Sequence, residues 1–257
     1  SGGCMTFVGQ AKRPPRYVIH QLLWQAADWL YPPVCGGCDA PGERWCAKCQ
    51  EQTVLLENMA ICPHCGVPNH GGEICTDCAA QPPPYTALRS WAVYAGALRK
   101  AIHRLKYQGD LGLGEALGAK LVAMWQSLDW QIEMIIPIPL SAQRKRERGY
   151  NQSSLLARPL SLATRLPLCA QALRRTRDTA SQVKLTGSER RQNVRGAFTA
   201  DARQVAGRAV LLIDDVATTG ATMLAAGEAL QAAGAHNIYA LTLARAGLTN
   251  HPDSLTG

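Results

Sequence analysis

The run Val210-Leu-Leu-Ile-Asp-Asp-Val-Ala-Thr-Thr-Gly-Ala-Thr222 decides how the rest of this chain is read. Val210 to Ile213 are apolar without alternation, the pattern of a strand buried on both faces. They lead straight into two adjacent carboxylates, Asp214 and Asp215, and then, past Ala217, into a turn of hydroxyls and glycine that opens a helix expected over 219–233. Backbone N–H groups at that helix start, the hydroxyls of Thr218, Thr219 and Thr222, and a Gly220–Ala221 step that lets the backbone come close are the parts of a phosphate cradle. The carboxylates would repel a phosphate, so they should serve a neighbouring polyol or a metal ion. Sugar hydroxyls beside a phosphate satisfy both demands. An ordinary capped helix requires neither the acidic pair nor the whole Thr-Thr-Gly-x-Thr run.

Working outward, strands are expected at Leu88 to Tyr94, Ile132 to Ile138 and Ile238 to Ala244. Helices are expected at Leu98 to Tyr107, 113–127 and Leu155 to Leu166, with Gly234 closing the helix that starts at 219. Strands alternating with helices imply βαβ units, hence an α/β fold with a mostly parallel sheet and ligands at the carboxyl ends of its strands. The Gly112-Leu-Gly114-Glu-Ala-Leu-Gly118 run is not a dinucleotide fingerprint, because it follows a helix and turn and has one residue too many.

Upstream, eight of the ten cysteines form four Cys-x-x-Cys knuckles: Cys35/Cys38, Cys46/Cys49, Cys62/Cys65 and Cys75/Cys78. Two residues between cysteines let both sulfurs face one ion, and two knuckles complete the four-thiolate set that Zn²⁺ accepts. Iron–sulfur ligation and redox dithiols remain chemical alternatives. Pairing in sequence order closes short loops and is preferred to a cross-braced arrangement. Four thiolates leave no open position, so the two zinc ions are expected to be structural, with no vacancy for His64 or His70. Cys169 is expected to be a small buried hydrophobe, and Ser1 to Cys4, ahead of Met5, an appended tag.

The expected organisation is an amphipathic helix over 17–32, a double zinc ribbon over 33–80, a proline-rich linker over 81–86 and an α/β domain over 87–247. Val18 to Leu30 follows the basic patch Lys12 to Arg16 as a signal peptide might. His20, Gln21, Gln25 and Asp28 interrupt its apolar run, and an amphipathic helix is expected instead. No stretch reaches the ~20 apolar residues of a membrane span, and reduced thiols suit a cytoplasmic protein.

Three motifs, together with the four cysteine knuckles that match its double zinc ribbon, resemble the ComF/GntX family. The 210–222 segment is similar to the phosphoribosyl-pyrophosphate (PRPP) signature of type I phosphoribosyltransferases. Ile136-Pro-Ile-Pro-Leu140 with Arg144-Lys-Arg-Glu-Arg-Gly-Tyr-Asn-Gln152 resembles the family's segment on the pyrophosphate side. Leu173, Arg175, Thr179, Gln182, Leu185, Arg190, Asn193 and Phe198 match its spaced pattern in what would be a mobile loop. The resemblance spans about residues 20 to 245. It implies a phosphoribosyltransferase-type domain behind a double zinc ribbon, and a role in DNA uptake or utilisation, in competence or as a nutrient. It further implies that Asp214 and Asp215 contact ribose hydroxyls, that the Thr-Thr-Gly loop holds a 5′-phosphate, and that Mg²⁺ accompanies PRPP.

Charge refines the partners. The net +8 arises because residues 143–195 carry 13 basic and 3 acidic groups, while residues 1–84 carry 5 and 7. Thiolates binding two Zn²⁺ would make the ribbon more acidic still. The ribbon is therefore expected to brace the fold or dock a protein partner of the DNA-uptake machinery. Arg144, Arg146 and Arg148 are expected to neutralise pyrophosphate and, with Arg175, Arg190 and Arg195, to track single-stranded DNA, with Tyr150 available to stack a base. An active phosphoribosyltransferase and a non-catalytic DNA-binding adaptor are the competing functions.

Overall fold

The computed structural model describes Ile19 and residues 32–69, 71–177 and 196–248. Of the helix expected over 17–32 only Ile19 and Pro32 are described, and His70, Thr179, Gln182, Leu185, Arg190, Asn193 and Arg195 lie outside the described residues.

Two five-residue helices belong to the cysteine region: α1 (Ala47–Glu51), which begins at Cys46, and α2 (Thr76–Ala80), which begins at Cys75. The α/β region runs β1 (Ala87–Val93), α3 (Gly96–Tyr107), α4 (Leu111–Gln126), β2 (Met134–Pro137), α5 (Ala142–Arg148), α6 (Gln152–Thr164), β3 (Leu173–Arg175), β4 (Phe198–Ala200), α7 (Ala202–Val205), β5 (Ala209–Ala217), α8 (Ala221–Ala232) and β6 (Asn237–Arg245). The main sheet has the order β1-β6-β5-β2 and is parallel throughout. β3 and β4 form a separate antiparallel pair.

β5 is buried on both faces. Leu211 and Ile213 enter one core with α3, α4 and α6 residues, while Val210 and Leu212 enter a second core with α8 residues. Its unbroken apolar run follows from that sandwich. The strand continues past the expected Ile213 to Ala217, with Asp214 in register with Thr242 and Val216 with Ala244 of β6. β2 is shorter than expected, ending at Pro137 just before Pro139.

Gly114 and Gly118 face α6. A Cβ on Gly114 would stand 2.9 Å from Leu155 Cβ. One on Gly118 would stand 2.9 Å from the Leu156 carbonyl and 2.8 Å from Pro159. The glycine run is thus a helix–helix contact surface, and Asp110 caps α4 by accepting from the Leu113 N–H at 3.1 Å.

The ribbon packs directly on the sheet. Leu55 bridges antiparallel to Ala92, with Leu56 N–H donating to Trp91 O and Val93 N–H to Val54 O, so the β1 edge is covered. Trp45 meets Trp91 edge to face at 6.4 Å. The proline segment lies along α8, where a Cβ on Gly227 would stand 2.9 Å from Pro84, and Tyr85 is buried.

Candidate functional site

The eight knuckle cysteines gather as Cys35, Cys38, Cys46 and Cys49, and as Cys62, Cys65, Cys75 and Cys78, each group with its sulfurs within 4.8 Å of one another. Pairing is therefore in sequence order. Cys35–Cys49 and Cys38–Cys46 are 3.6 Å apart and Cys65–Cys75 3.7 Å. Four Zn–S bonds of ~2.3 Å at tetrahedral angles place sulfurs ~3.8 Å apart, so each group fits one ion, not a cluster of several irons. A disulfide would need ~2.05 Å.

Burial pushes the Cys35 and Cys62 thiols up, but N–H groups outweigh it and lower both to about 6. Cys46, Gly37 and Cys38 supply them for Cys35, and Cys75, Cys65 and His64 for Cys62. Cys49 and Cys78 are driven up, by burial first and then by their neighbouring sulfurs. Four thiolates at this spacing thus require a divalent cation, and the chemistry of both donor sets suits structural zinc. His64 belongs to neither group; its Nδ1 lies 3.1 Å from the Thr86 carbonyl.

The second zinc group is tied to the sheet. Arg245, at the end of β6 and only 4% exposed, donates from Nη1 to the Cys65 carbonyl at 2.7 Å. Leu88 N–H donates to His64 O, and a Cβ on Gly66 would stand 2.4 Å from Leu88 O. Gly66, with φ +68°, is the residue that permits this approach.

At the carboxyl edge of β5, Asp214 is 8% and Asp215 4% exposed. Asp214 Oδ1 accepts from Ser153 Oγ at 2.8 Å and from the Asp215 N–H at 2.9 Å. Lys106 Nζ, from α3, forms an ion pair with Asp215 Oδ2 at 2.9 Å. Burial and then the charge of Asp215 raise the Asp214 carboxyl to about 7, against the opposing pull of Ser153, the Asp215 N–H and Lys106. Burial lowers Lys106, but the charges of Asp215 and Asp214 more than restore it, so it stays protonated.

The local sequence explains this placement. Asn151 caps α6 by accepting from Ser153 N–H, while its Nδ2 donates to Ile138 O, which fixes the helix start to the end of β2. Ser153 then meets Asp214. Neither Ser153 nor Lys106 is among the site residues expected from sequence, and only packing brings Lys106, one of the four cations of α3, to the acid.

Beyond Asp215 the chain turns through exposed Thr218 and half-buried Thr219 into Gly220, whose φ of +75° starts α8; Ala221 is buried and Thr222 half-buried. The Ala221 N–H donates to Thr219 Oγ1 at 3.4 Å. The loop thus presents the N-terminus of a 12-residue helix beside the acidic pair. It also borders a groove of about 930 Å³ whose lining includes Thr76 and Asp77 of the ribbon, Gln81 of the proline segment, and Arg245.

The basic residues divide. Arg144, Arg146 and Arg148 lie on α5, a helix with no buried residue, capped by Ser141 and ended by Gly149. α5 follows the carboxyl end of β2, the neighbour of β5, so its cations stand at the same edge as the acids. Arg175 is elsewhere, on β3, with its guanidinium 5.4 Å over the Phe198 ring and the β3–β4 pair beside α8. Tyr150 is half-buried, and its hydroxyl donates to the Leu105 carbonyl.

Two domain families match the chain: a double zinc ribbon domain over residues 26–79 and a phosphoribosyl transferase domain over 148–254. DNA utilization protein YhgH of Escherichia coli (strain K12) is 33% identical over 224 residues, 83% of this chain and 97% of the relative. Competence protein F of Haemophilus influenzae is 31% identical, covering 78% and 90%, and competence protein ComFC of Bacillus subtilis is 28% identical, covering 80% and 85%. Among solved structures, a glutamine PRPP amidotransferase from B. subtilis overlaps 54% of this chain and 26% of its own at 19% identity, with a TM-score of 0.33. Among the described residues, no helix is long and apolar enough to cross a membrane.

Proposed function

The chain belongs to the ComF family, and from that premise we propose that it serves DNA uptake or utilisation by holding PRPP, or a related phosphoribosyl compound, at Asp214 to Thr222. In the same reading it carries single-stranded DNA on its basic surface. The observation that carries the ligand assignment is the buried acidic pair at the carboxyl edge of β5, held one loop away from the Gly220-started N-terminus of α8. Ligands of parallel α/β sheets bind at that edge.

Each residue has a task that its chemistry suits. Asp214 and Asp215 accept from ribose hydroxyls, whose donors match two carboxylates. The loop from Ala217 to Thr222 receives the 5′-phosphate through N–H groups and hydroxyls. Arg144, Arg146 and Arg148 neutralise pyrophosphate from the adjoining α5. Lys106 offsets the charge of Asp215, so the pair stays side by side before ligand arrives. Mg²⁺ suits the oxygen donors of the ligand's phosphates and of the acidic pair, and would neutralise pyrophosphate charge.

The ribbon braces the sheet edge and supports a protein-docking role through its exposed Val34, Val54 and Ile74. Within the cytoplasm the reduced thiols would keep both zinc groups intact.

PRPP with MgCl₂ should raise the melting temperature of the protein, and the double variant Asp214→Asn, Asp215→Asn should lose that stabilisation; an unchanged shift would sink the assignment. Pyrophosphate release with a panel of acceptor bases and amines identifies an active transferase, the competing reading. DNA affinity indifferent to PRPP and to both substitutions would mark an adaptor that only retains the fold.

A further inference from the structure

We propose that the solvent face of α3 is part of the single-stranded DNA track, with the Tyr107 ring, against which His103 packs at a tilt of 46°, as a platform for a base. This rests on the strand-binding reading above and moves part of it to a surface outside residues 144–195.

α3 divides cleanly. Leu98, Ala101, Ile102 and Leu105 are buried, while Arg99, Lys100, His103 and Tyr107 project to solvent. The helix carries four cations and no carboxylate. A groove of about 630 Å³ runs along this face, between the helix and the first zinc knuckle, and Arg99, Lys100 and His103 line it. Asp39 is the one acid in its lining, and it is already engaged by Arg104 at 2.6 Å.

At the far end of the groove face stands Tyr107, 63% exposed. Its ring centroid lies 4.7 Å from that of His103. The Arg148 guanidinium sits 4.9 Å from the same ring, and its Nη2 donates to the Tyr107 hydroxyl at 3.4 Å. Tyr107 thereby joins α3 to α5, whose seven residues include four cations and one acid, Glu147. An exposed aromatic between two cationic helices matches how unpaired strands are held, with phosphates on cations and bases on rings. An acidic polypeptide would use the cations but has no base to stack on the ring. Tyr150 cannot offer its hydroxyl, which Leu105 already engages. The residue before Tyr107 is Lys106, which reaches Asp215, so the platform adjoins the acidic pair.

Full-length zinc-loaded protein is titrated with a fluorescein-labelled oligo-dT and with an abasic strand of equal length. Tyr107→Ala should weaken oligo-dT binding about ten- to a hundredfold, as loss of one stacked base does. It should leave the abasic strand unaffected, and Tyr107→Trp should retain wild-type affinity. An oligonucleotide carrying 2-aminopurine should be quenched by the wild type and not by Tyr107→Ala. Arg99→Glu with Lys100→Glu should weaken both strands and flatten the salt dependence. Zinc content and melting temperature confirm that each variant folds. Unchanged oligo-dT binding by Tyr107→Ala, or equal loss on the abasic strand, overturns the α3 platform while leaving the 144–195 surface standing. Failure of the wild type to bind either strand overturns the strand-binding reading as well.

Discussion

Replacing Lys106 by Met should destabilise the protein by about 2–4 kcal/mol, because it strands a buried carboxylate. The Nζ–Oδ2 separation is 2.9 Å, with the two side chains 20% and 5% exposed. At an effective dielectric near 20 the attraction is about 6 kcal/mol, from which the cost of desolvating the partly exposed ammonium must be subtracted. Met keeps the length and apolar stem of the side chain, so packing against α3's neighbours changes little. Asp215 is then left beside Asp214 with no cation, and repulsion within the pair adds to the loss. For a chain of this size the melting temperature should fall by about 5–15 °C. The assay is urea and thermal unfolding at pH 7.5, with zinc content counted by native mass spectrometry in each variant. Lys106→Met combined with Asp215→Asn should recover most of the stability, because the stranded charge is gone. A single variant within 0.5 kcal/mol of wild type, or a double variant no better than the single, would refute the reasoning.

Asp214→Asn should become progressively more stable than wild type as pH rises. The folded state raises this carboxyl from 3.8 to about 7, so it binds the proton more tightly than the unfolded chain does. Its favourable contribution is complete below about pH 4 and is lost as pH passes 7. The advantage of Asn should grow by about 2 kcal/mol between pH 5.5 and 8.5, and a difference constant with pH in chemical unfolding would contradict this. Gly118→Ala should cost about 1–3 kcal/mol, since the new Cβ meets the Leu156 backbone oxygen at 2.9 Å. Gly112→Ala should cost less, because the Cβ meets only the movable end of Arg44, and equal melting temperatures for the two variants would count against this ranking.

Much of the fold was legible because its signals are local. A strand buried on both faces must be apolar without alternation, and Val210 to Ile213 declare that directly. Their continuation to Ala217 was hidden, since acids in a buried strand are tolerable only where Ser153 and Lys106 meet them. α5 was equally hidden: seven residues with no buried side chain have no apolar period to detect. The glycines of α4 excluded a nucleotide fingerprint by spacing, but the α6 backbone they accommodate was not visible.

The sequence by itself determined the order of the four main-sheet strands and the long helices between them, the two Cys4 groups and the acidic loop, because each is encoded by neighbours along the chain. Only the tertiary structure decided which distant side chains govern them. Lys106 is over a hundred residues from Asp215, and Arg245 is 180 residues from Cys65, yet each reaches its partner within 3 Å. Tyr150 is half-buried with its hydroxyl on the Leu105 carbonyl, and Tyr107 is exposed, for the same reason. Which aromatic meets solvent depends on the face that helix packing leaves uncovered, and that is a property of the assembled layers.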